Sequence, residues 1–176
     1  MIQIKNAAEL QKMRKACAIS AAALKAGGEA IEPGITTAEI DKIIYDFIVR
    51  HGARPNFLHL YGFPATACIS VNDTVIHGIP NKQQQIRPGD IVSIDTGCKI
   101  DGFNGDNACT YACGKIDLEA QRLLDVTKES LHRGIEMACG GNRVGDIGHA
   151  VQSYVEENGF SVVPVSYTHL TLPTNL

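Results

Sequence analysis

The sequence predicts an α+β fold in which helices cover one face of an antiparallel sheet. Residues 7–27 and 36–52 carry apolar side chains at helical spacing, and residues 117–157 do so again. Between them, residues 66–113 form short alternating runs that are typical of strands. Because helices, strands and helices follow one another in blocks, the strands are expected to pair with each other and the helices to pack on the sheet.

The N-terminal part is predicted to form two helices. The stripe of the first helix recurs at approximately helical spacing and consists of Leu10, Met13, Cys17, Ile19 and Leu24. The second helix begins where Thr36 and Glu39 have the spacing of a capping box, and it ends at Gly52. Its apolar face consists of Ile40, Ile43, Ile44, Phe47 and Ile48. Both helices are expected to form the outer layer of the sheet.

The strands and the C-terminal helices follow. Strand-like runs are predicted over residues 65–71, 74–79, 90–95 and 107–113, and helices over residues 117–139 and 144–157. Residues 164–176 do not continue this pattern, and most of them resemble a translated sequencing-library adapter. They are therefore left out of the fold prediction as a non-native tail.

Composition limits the classes of function. A net charge of -3 and a pI near 6.0 give no electrostatic basis for binding nucleic acid or an anionic membrane. No apolar run approaches the roughly 18 residues that a membrane span needs, and the charged N-terminus is not a signal peptide. The six cysteines include no C-x-x-C pair and are expected to be reduced thiols, so the predicted location is cytoplasmic.

A predicted hairpin brings two acidic residues together. Asp101-Gly102 between two strand-like runs indicates a type I′ turn, which needs a positive φ at both central positions. Counting back from that turn places Asp106 opposite Gly97. Since strand side chains alternate, Asp95 lies on the same face as Asp106.

Two carboxylates so placed are diagonal neighbours with backbones roughly 7–8 Å apart. That spacing allows them to converge on a pair of divalent cations about 3.5–4 Å apart. The alternative is that Asp95 caps a strand end and Asp106 is a turn residue. An unpaired carboxylate at the end of an apolar strand is costly, which favours a cation, but geometry alone leaves both interpretations open.

His77 is the next candidate, between Ile76 and Gly78 at the predicted end of a strand. A histidine there could donate a hydrogen bond to a substrate carbonyl, or move a proton near neutral pH. The alternative is a histidine satisfied within the core or at a sheet edge. The histidines at 51, 59, 132 and 149 lie in helix-end or loop contexts and are expected to be solvated.

The runs over residues 62–80, 89–95 and 101–106 together resemble type I methionine aminopeptidases, and the resemblance extends over residues 4–163. It implies the pita-bread fold, in which two pseudo-symmetric α+β halves surround a dinuclear metal site. This chain would hold the N-terminal half and the start of the second half. The predicted organisation is a partial methionine aminopeptidase catalytic domain over residues 1–163 and an adapter-like tail over residues 164–176.

The resemblance also implies roles for individual residues. Asp95 matches an aspartate that binds one metal, and Asp106 matches an aspartate that bridges both. His77 matches a histidine that contacts the substrate and assists catalysis. Phe63 and Cys68 match residues that line the pocket for the methionine side chain, where aromatic and sulfur contacts suit a thioether. The implied reaction is metal-assisted hydrolysis that removes the initiator methionine when the second residue is small.

Cofactors and partners are implied in the same way. The family uses two divalent ions, which could be Co, Mn, Fe, Zn or Ni. The implied substrate is the N-terminal methionine of nascent polypeptides, with possible association with the ribosome. A monomer is implied, with no membrane partner and no direct nucleic-acid site.

The sequence also departs from the family pattern. His59 and Leu60 stand where the family carries a Gly-Tyr pair, which alters one wall of the methionine pocket. Three metal ligands and a second substrate histidine belong to a later part of the family sequence, so this chain alone is expected to be inactive. His169 falls near the position of the ligand histidine, but its neighbours match the adapter and the coincidence is discounted.

Two other interpretations compete with this one. One is a pita-bread interaction module that has lost catalysis, although such a module has no need of His77, Asp95 and Asp106 together. The other is a creatinase-like or proline-specific relative of the same fold, which the close match over residues 68–80 disfavours.

Overall fold

The structure is a computed structural model, and it describes residues 4–163. The predicted tail, including His169, lies outside the described residues. The chain divides into two compact units, Met1–Ile116 and Asp117–Leu176. Within the described part of the chain, no helix is both long and apolar enough to cross a membrane.

The first unit contains two helices and a four-stranded antiparallel sheet. Its elements in order are α1 (Ala7–Glu29), α2 (Thr37–Arg50), β1 (Arg54–Pro55), β2 (Ala67–Val71), β3 (Ile91–Ile100) and β4 (Phe103–Ala112). The central strand is β3, which pairs with β4 along one edge and with β2 and then β1 along the other. Every pairing is antiparallel, so the predicted α+β class is confirmed.

Helix α2 forms as predicted. Thr36 and Glu39 make both hydrogen bonds of the capping box, with the Glu39 backbone N–H donating to the Thr36 hydroxyl at 3.2 Å. Ile40, Ile44 and Ile48 are fully buried against the sheet. The spacing of the isoleucines therefore determines both the helix and the face that it buries.

Helix α1 buries a different face from the one predicted. Leu10 is 40% exposed and Cys17 is also exposed, and the buried positions are Ala16, Ser20, Ala23, Leu24 and Gly27. Small residues occupy the buried positions of α1 because the helix backbone lies directly on the sheet. A Cβ at Gly105 of β4 would collide with the carbonyl of Ala16. Of the predicted stripe, Leu24 is in the core and Ile19 packs against it while partly buried.

The predicted strand over residues 74–79 is absent. After β2 the chain turns at Asn72, where φ is 51°, and His77 also has a positive φ of 58°. Asn72 turns the chain before this segment and His77 interrupts the pleat within it, so no ladder forms there. His77 therefore lies in an irregular segment and not at the end of a strand.

The second unit is a pair of packed helices, α3 (Leu118–Met137) and α4 (Val144–Glu157). The Asp117 side chain caps α3 by accepting from the Ala120 backbone N–H at 2.7 Å. The buried positions of α3 are Val126, Ser130 and Gly134, whereas three of its four leucines are exposed: Leu118, Leu123 and Leu131. The small residues again allow a close approach, because a Cβ at Gly134 would lie 2.9 Å from a methyl group of Val151.

Candidate metal centre

The predicted hairpin is confirmed together with its register. Asp101 and Gly102 have φ values of 52° and 85°, as a type I′ turn requires. Gly97 pairs with Asp106, and Asp95 pairs with Ala108. The acidic side chains therefore share one face of the β3–β4 ribbon.

The two faces of β3 have different surroundings. Val92, Ile94, Thr96 and Cys98 alternate along the strand and are all fully buried on the helix side. Asp95 lies on the opposite side, where it is half-buried, and Cys68 of β2 is its direct cross-strand partner. The helices pack on one face, and the other presents a carboxylate beside a thiol.

The Asp95 carboxyl has an unusual affinity for protons. Its pKa is raised from 3.8 to about 6, first because burial penalises the charged form and then because the Asp106 carboxylate repels it. His77 is near enough to oppose this shift, and Asp106 is near enough to share a hydrogen bond with Asp95. A positive charge between the two carboxylates would relieve the repulsion.

This donor set fits a divalent cation. Carboxylate oxygens are hard ligands that bind divalent ions well, and here one carboxylate is half-buried while the other is exposed. Among residues 4–163, no group of three or more His, Cys, Asp or Glu side chains is arranged to hold a metal. Asp95 and Asp106 therefore stand as a pair of potential ligands.

An open pocket of about 490 Å³ lies against Asp95. It brings together four of the five residues predicted for the site, namely Phe63, Cys68, His77 and Asp95. Asp106 is outside the pocket lining but adjoins Asp95 on the same face. Sequence reasoning missed several further lining residues: Phe57, Gly62, Pro64 and Ile79. Ile79 follows His77 by two residues, a spacing that could have indicated it, whereas Phe57 carries no local signal.

The Cys68 side chain acts as an apolar wall of the pocket. It is only 7% exposed, and burial together with the charge of Asp95 raises the pKa of its thiol to about 11. The thiol is therefore neutral at physiological pH and is a poor nucleophile. Neutral sulfur and the Phe63 ring line the same pocket and give it polarizable apolar surface.

The predicted departure from the family pattern, at His59 and Leu60, falls in a segment that contributes to the pocket. Leu60 and Tyr61 both line the pocket, and the Tyr61 side chain is fully exposed. His59 and Tyr61 have positive φ values of 68° and 48° in a short turn that contains a 3₁₀ segment, Leu60–Gly62. Residues with a Cβ occupy this region at a cost, so this segment adopts a conformation that is unfavourable in isolation.

Asp41 of α2 binds the beginning of β2, the strand that carries Cys68 of the pocket lining. Its carboxylate accepts hydrogen bonds from the backbone N–H groups of Thr66 at 2.9 Å and Ala67 at 2.8 Å. Burial raises the pKa of this carboxyl, and the two hydrogen bonds oppose the rise. Sequence reasoning missed Asp41, although an acidic residue next to the buried stripe of a helix is a signal for such a role.

An α+β chain with a carboxylate pair beside an open, largely apolar pocket has the features of a metal-dependent hydrolase. The chain belongs to metallopeptidase family M24, whose model matches residues 11–171. A divalent metal cofactor is implied for this family. The match continues past residue 163, so the predicted start of a non-native tail stays a prediction.

Individual relatives agree with this family. The chain is 50% identical to a methionine aminopeptidase of Clostridium perfringens over 163 residues, which are 93% of this chain and 65% of the relative. It is 44% identical to methionine aminopeptidase 1 of Bacillus subtilis, with the same two coverages. The predicted resemblance to methionine aminopeptidases is thus confirmed, and the chain spans about 65% of the length of these relatives.

Solved structures confirm the pita-bread fold. Methionine aminopeptidase from Rickettsia prowazekii superimposes with a TM-score of 0.90 at 38% identity, and the match covers 93% of this chain and 65% of that one. Prolidase from Pyrococcus furiosus gives a TM-score of 0.76 at 22% identity, covering 89% and 44%. The second likeness concerns the fold alone.

Proposed function

We propose that the whole protein is a metal-dependent aminopeptidase that removes the N-terminal methionine from polypeptides. The observation that carries this proposal is the carboxylate pair at one side of a pocket whose walls include Cys68, Phe63 and His77. The pocket supplies apolar surface for a thioether side chain, and the carboxylates supply a place for cations. The similarity to methionine aminopeptidases supports the same reaction.

Each site residue has a proposed task. Asp95 and Asp106 would hold two divalent cations, which act as Lewis acids toward the scissile carbonyl when bound. His77 would donate a hydrogen bond to that carbonyl or move a proton during cleavage. Phe63 and Cys68 would bind the methionine side chain and exclude water from it.

Several finer points of the proposal rest on the similarity to relatives and on the chemistry of the donors. These are the number of cations, their identity among Co, Mn, Fe, Zn and Ni, and the requirement for a small second residue. Nascent polypeptides are the proposed substrates, with the ribosome as the site of encounter. We place the reaction in the cytoplasm and expect a monomer that needs no membrane or nucleic acid.

The test is a peptidase assay on the whole protein. A Met-Ala-Ser peptide is incubated with Co²⁺ or Mn²⁺, and release of methionine is measured. Asp106→Asn is expected to abolish turnover, and His77→Ala is expected to lower it by about 10²–10⁴-fold, the usual contribution of a general acid or base. Asp73→Asn, in the exposed turn after β2, is the matched control for removal of a charge.

Full turnover by Asp106→Asn would contradict the proposed metal site. Absence of turnover by the unaltered protein, with every cation tried, would favour the interaction module. The 176-residue chain is a separate case. Two carboxylates leave most coordination positions of each ion to water, so weak cation binding and little turnover are expected from it. Robust turnover by this chain alone would contradict that expectation.

A further inference from the structure

His77 reaches the pocket on a segment that packing does little to hold. The chain leaves the sheet after β2, turns at Asn72 and returns toward the pocket at His77. The large apolar side chains around His77 remain in solvent: Val75 is 63%, Ile76 46% and Ile79 55% exposed. Apolar burial therefore contributes little to fixing the position of the imidazole.

Gly78 attaches this segment to β2 through two hydrogen bonds. Its carbonyl accepts from the Ile69 backbone N–H at 2.9 Å. Its own N–H donates to the Ser70 hydroxyl at 3.0 Å, where a regular ladder would supply a carbonyl. Ser70 is only 3% exposed, so the hydroxyl has little access to water as an alternative partner.

The attachment leaves no space for a side chain at position 78. A Cβ there would collide with the Ile69 carbonyl and approach the Ser70 backbone. The adjoining His77 has a φ of 58°, which is unfavourable for a residue with a Cβ. A segment held in such a conformation needs specific contacts to remain there.

We propose that Ser70 is a positioning residue for His77. Its hydroxyl fixes the Gly78 N–H, and this anchors His77 in the left-handed conformation that points it into the pocket beside Asp95. The importance of a fixed His77 rests on the proposed function, whereas the anchoring itself does not. Without the hydroxyl, the Gly78 N–H is unsatisfied and the segment leaves this conformation.

Ser93 supplies a matched control. It lies directly opposite Ser70 in the β2–β3 ladder, and the two side chains share a face of the sheet. Its hydroxyl pairs with the Thr110 hydroxyl of β4 at 2.8 Å, away from Gly78. Ser93→Ala therefore removes the same group from the same face without removing the anchor of His77.

The first experiment measures amide hydrogen exchange in the 176-residue chain by NMR. Ser70→Ala is expected to accelerate exchange at Gly78 by about tenfold or more, the loss of one hydrogen bond, while the β3 amide of Ile94 keeps its protection. Ser93→Ala is expected to leave Gly78 unchanged. If Ser70→Ala does not fold, Ser70→Cys replaces it in the experiment, because cysteine has the shape of serine but is a weaker hydrogen-bond acceptor. Unchanged exchange at Gly78 in the folded variants overturns the proposal.

The second experiment measures peptidase kinetics in the whole protein. Because a displaced His77 no longer assists the chemical step, Ser70→Ala is expected to lower kcat by about tenfold with KM within twofold. A raised KM with unchanged kcat overturns the role of Ser70 in positioning His77. If the unaltered protein has no peptidase activity, the proposed function fails, and the exchange experiment still decides whether Ser70 anchors the segment.

Discussion

The two faces of the central strand β3 differ in what they contribute. On the helix side, Val92, Ile94 and Cys98 are fully buried among apolar neighbours. On the pocket side, Asp95 is half-buried next to a second carboxylate, and its pKa is raised to about 6 as a result. One face stabilises the fold, and the other holds charges that destabilise it until a cation or a proton is bound.

This difference shows how alternation in a strand separates stability from chemistry. Successive side chains point to opposite faces, so a functional group can follow a core residue without entering the core. Ile94 and Asp95 are adjacent in sequence, and they have opposite expected effects on the free energy of unfolding. Substitutions on each face can therefore test this difference.

The largest expected effect is on the helix side. Ile94→Ala removes a fully buried side chain and is expected to lower the free energy of unfolding by about 3–4 kcal/mol, because it loses apolar burial and leaves a cavity. Urea denaturation measures this change. Ile79→Ala, at a side chain that is 55% exposed, is the control and should cost less than about 1 kcal/mol. Equal costs at both positions would contradict the assignment of the core.

The second-largest expected effect on the free energy of unfolding concerns the Asp41 carboxylate, which lies between α2 and β2. Asp41→Leu leaves two backbone N–H groups without an acceptor and is expected to cost about 2–3 kcal/mol of the free energy of unfolding. Asp41→Asn retains a carbonyl oxygen and is expected to cost less than about 1 kcal/mol. Asp46→Leu on the same helix removes only a surface pair with Lys42 and serves as control. A large cost for the asparagine variant would show that the charge itself is needed.

A smaller effect of opposite sign is expected on the pocket side. The folded-state pKa of Asp95 is raised to about 6, so its contribution to stability is present at low pH and is lost as pH rises through that value. Asp95→Asn is therefore expected to stabilise the cation-free chain at about pH 7, and this gain should vanish near pH 4. A rise in the pKa of Asp95 from 3.8 to about 6 corresponds to about 3 kcal/mol of unfolding free energy. Because water reaches the open pocket, we expect Asp95→Asn to gain about 1–2 kcal/mol.

Urea denaturation of both chains in the presence of a chelator, at the two pH values, measures this gain. Asp73→Asn in an exposed turn is the control for removal of a carboxylate. A loss of stability in Asp95→Asn at neutral pH would mean that the carboxylate is satisfied without a cation.

The smallest effect is stabilisation by divalent cations. Millimolar Mn²⁺ is expected to raise the free energy of unfolding of the 176-residue chain by about 1 kcal/mol, as weak binding to the folded state predicts. The increment should disappear in Asp95→Asn and in Asp106→Asn. Thermal denaturation with and without Mn²⁺ measures it, and an equal increment in all three chains would indicate binding elsewhere.

The elements that sequence predicted correctly are those set by local rules. The Asp101-Gly102 turn fixes the register of the hairpin, and the pairing of Asp106 with Gly97 follows by counting. Thr36 and Glu39 begin α2, and its isoleucines face the core. Each of these depends on residues that are close in the chain.

The wrong predictions concern places where segments that are far apart in sequence meet in the fold. The buried face of α1 is set by how closely it approaches Gly105, which is about ninety residues away and carries no signal near the helix. Residues 74–79 have a strand-like composition, but left-handed residues and the attachment of Gly78 to β2 replace a ladder. The contact of Asp41 with Thr66 and Ala67 likewise joins segments that are 25 and 26 residues apart in the chain.

Local sequence patterns specify the helices, the central hairpin and the common face of Asp95 and Asp106, because a turn type and a two-residue alternation are properties of neighbouring residues. The meeting of Phe63, Cys68 and His77 at Asp95, and the rise in its pKa, follow from the folded chain. Burial and electrostatic repulsion depend on every group within a few ångströms, wherever that group lies in the chain.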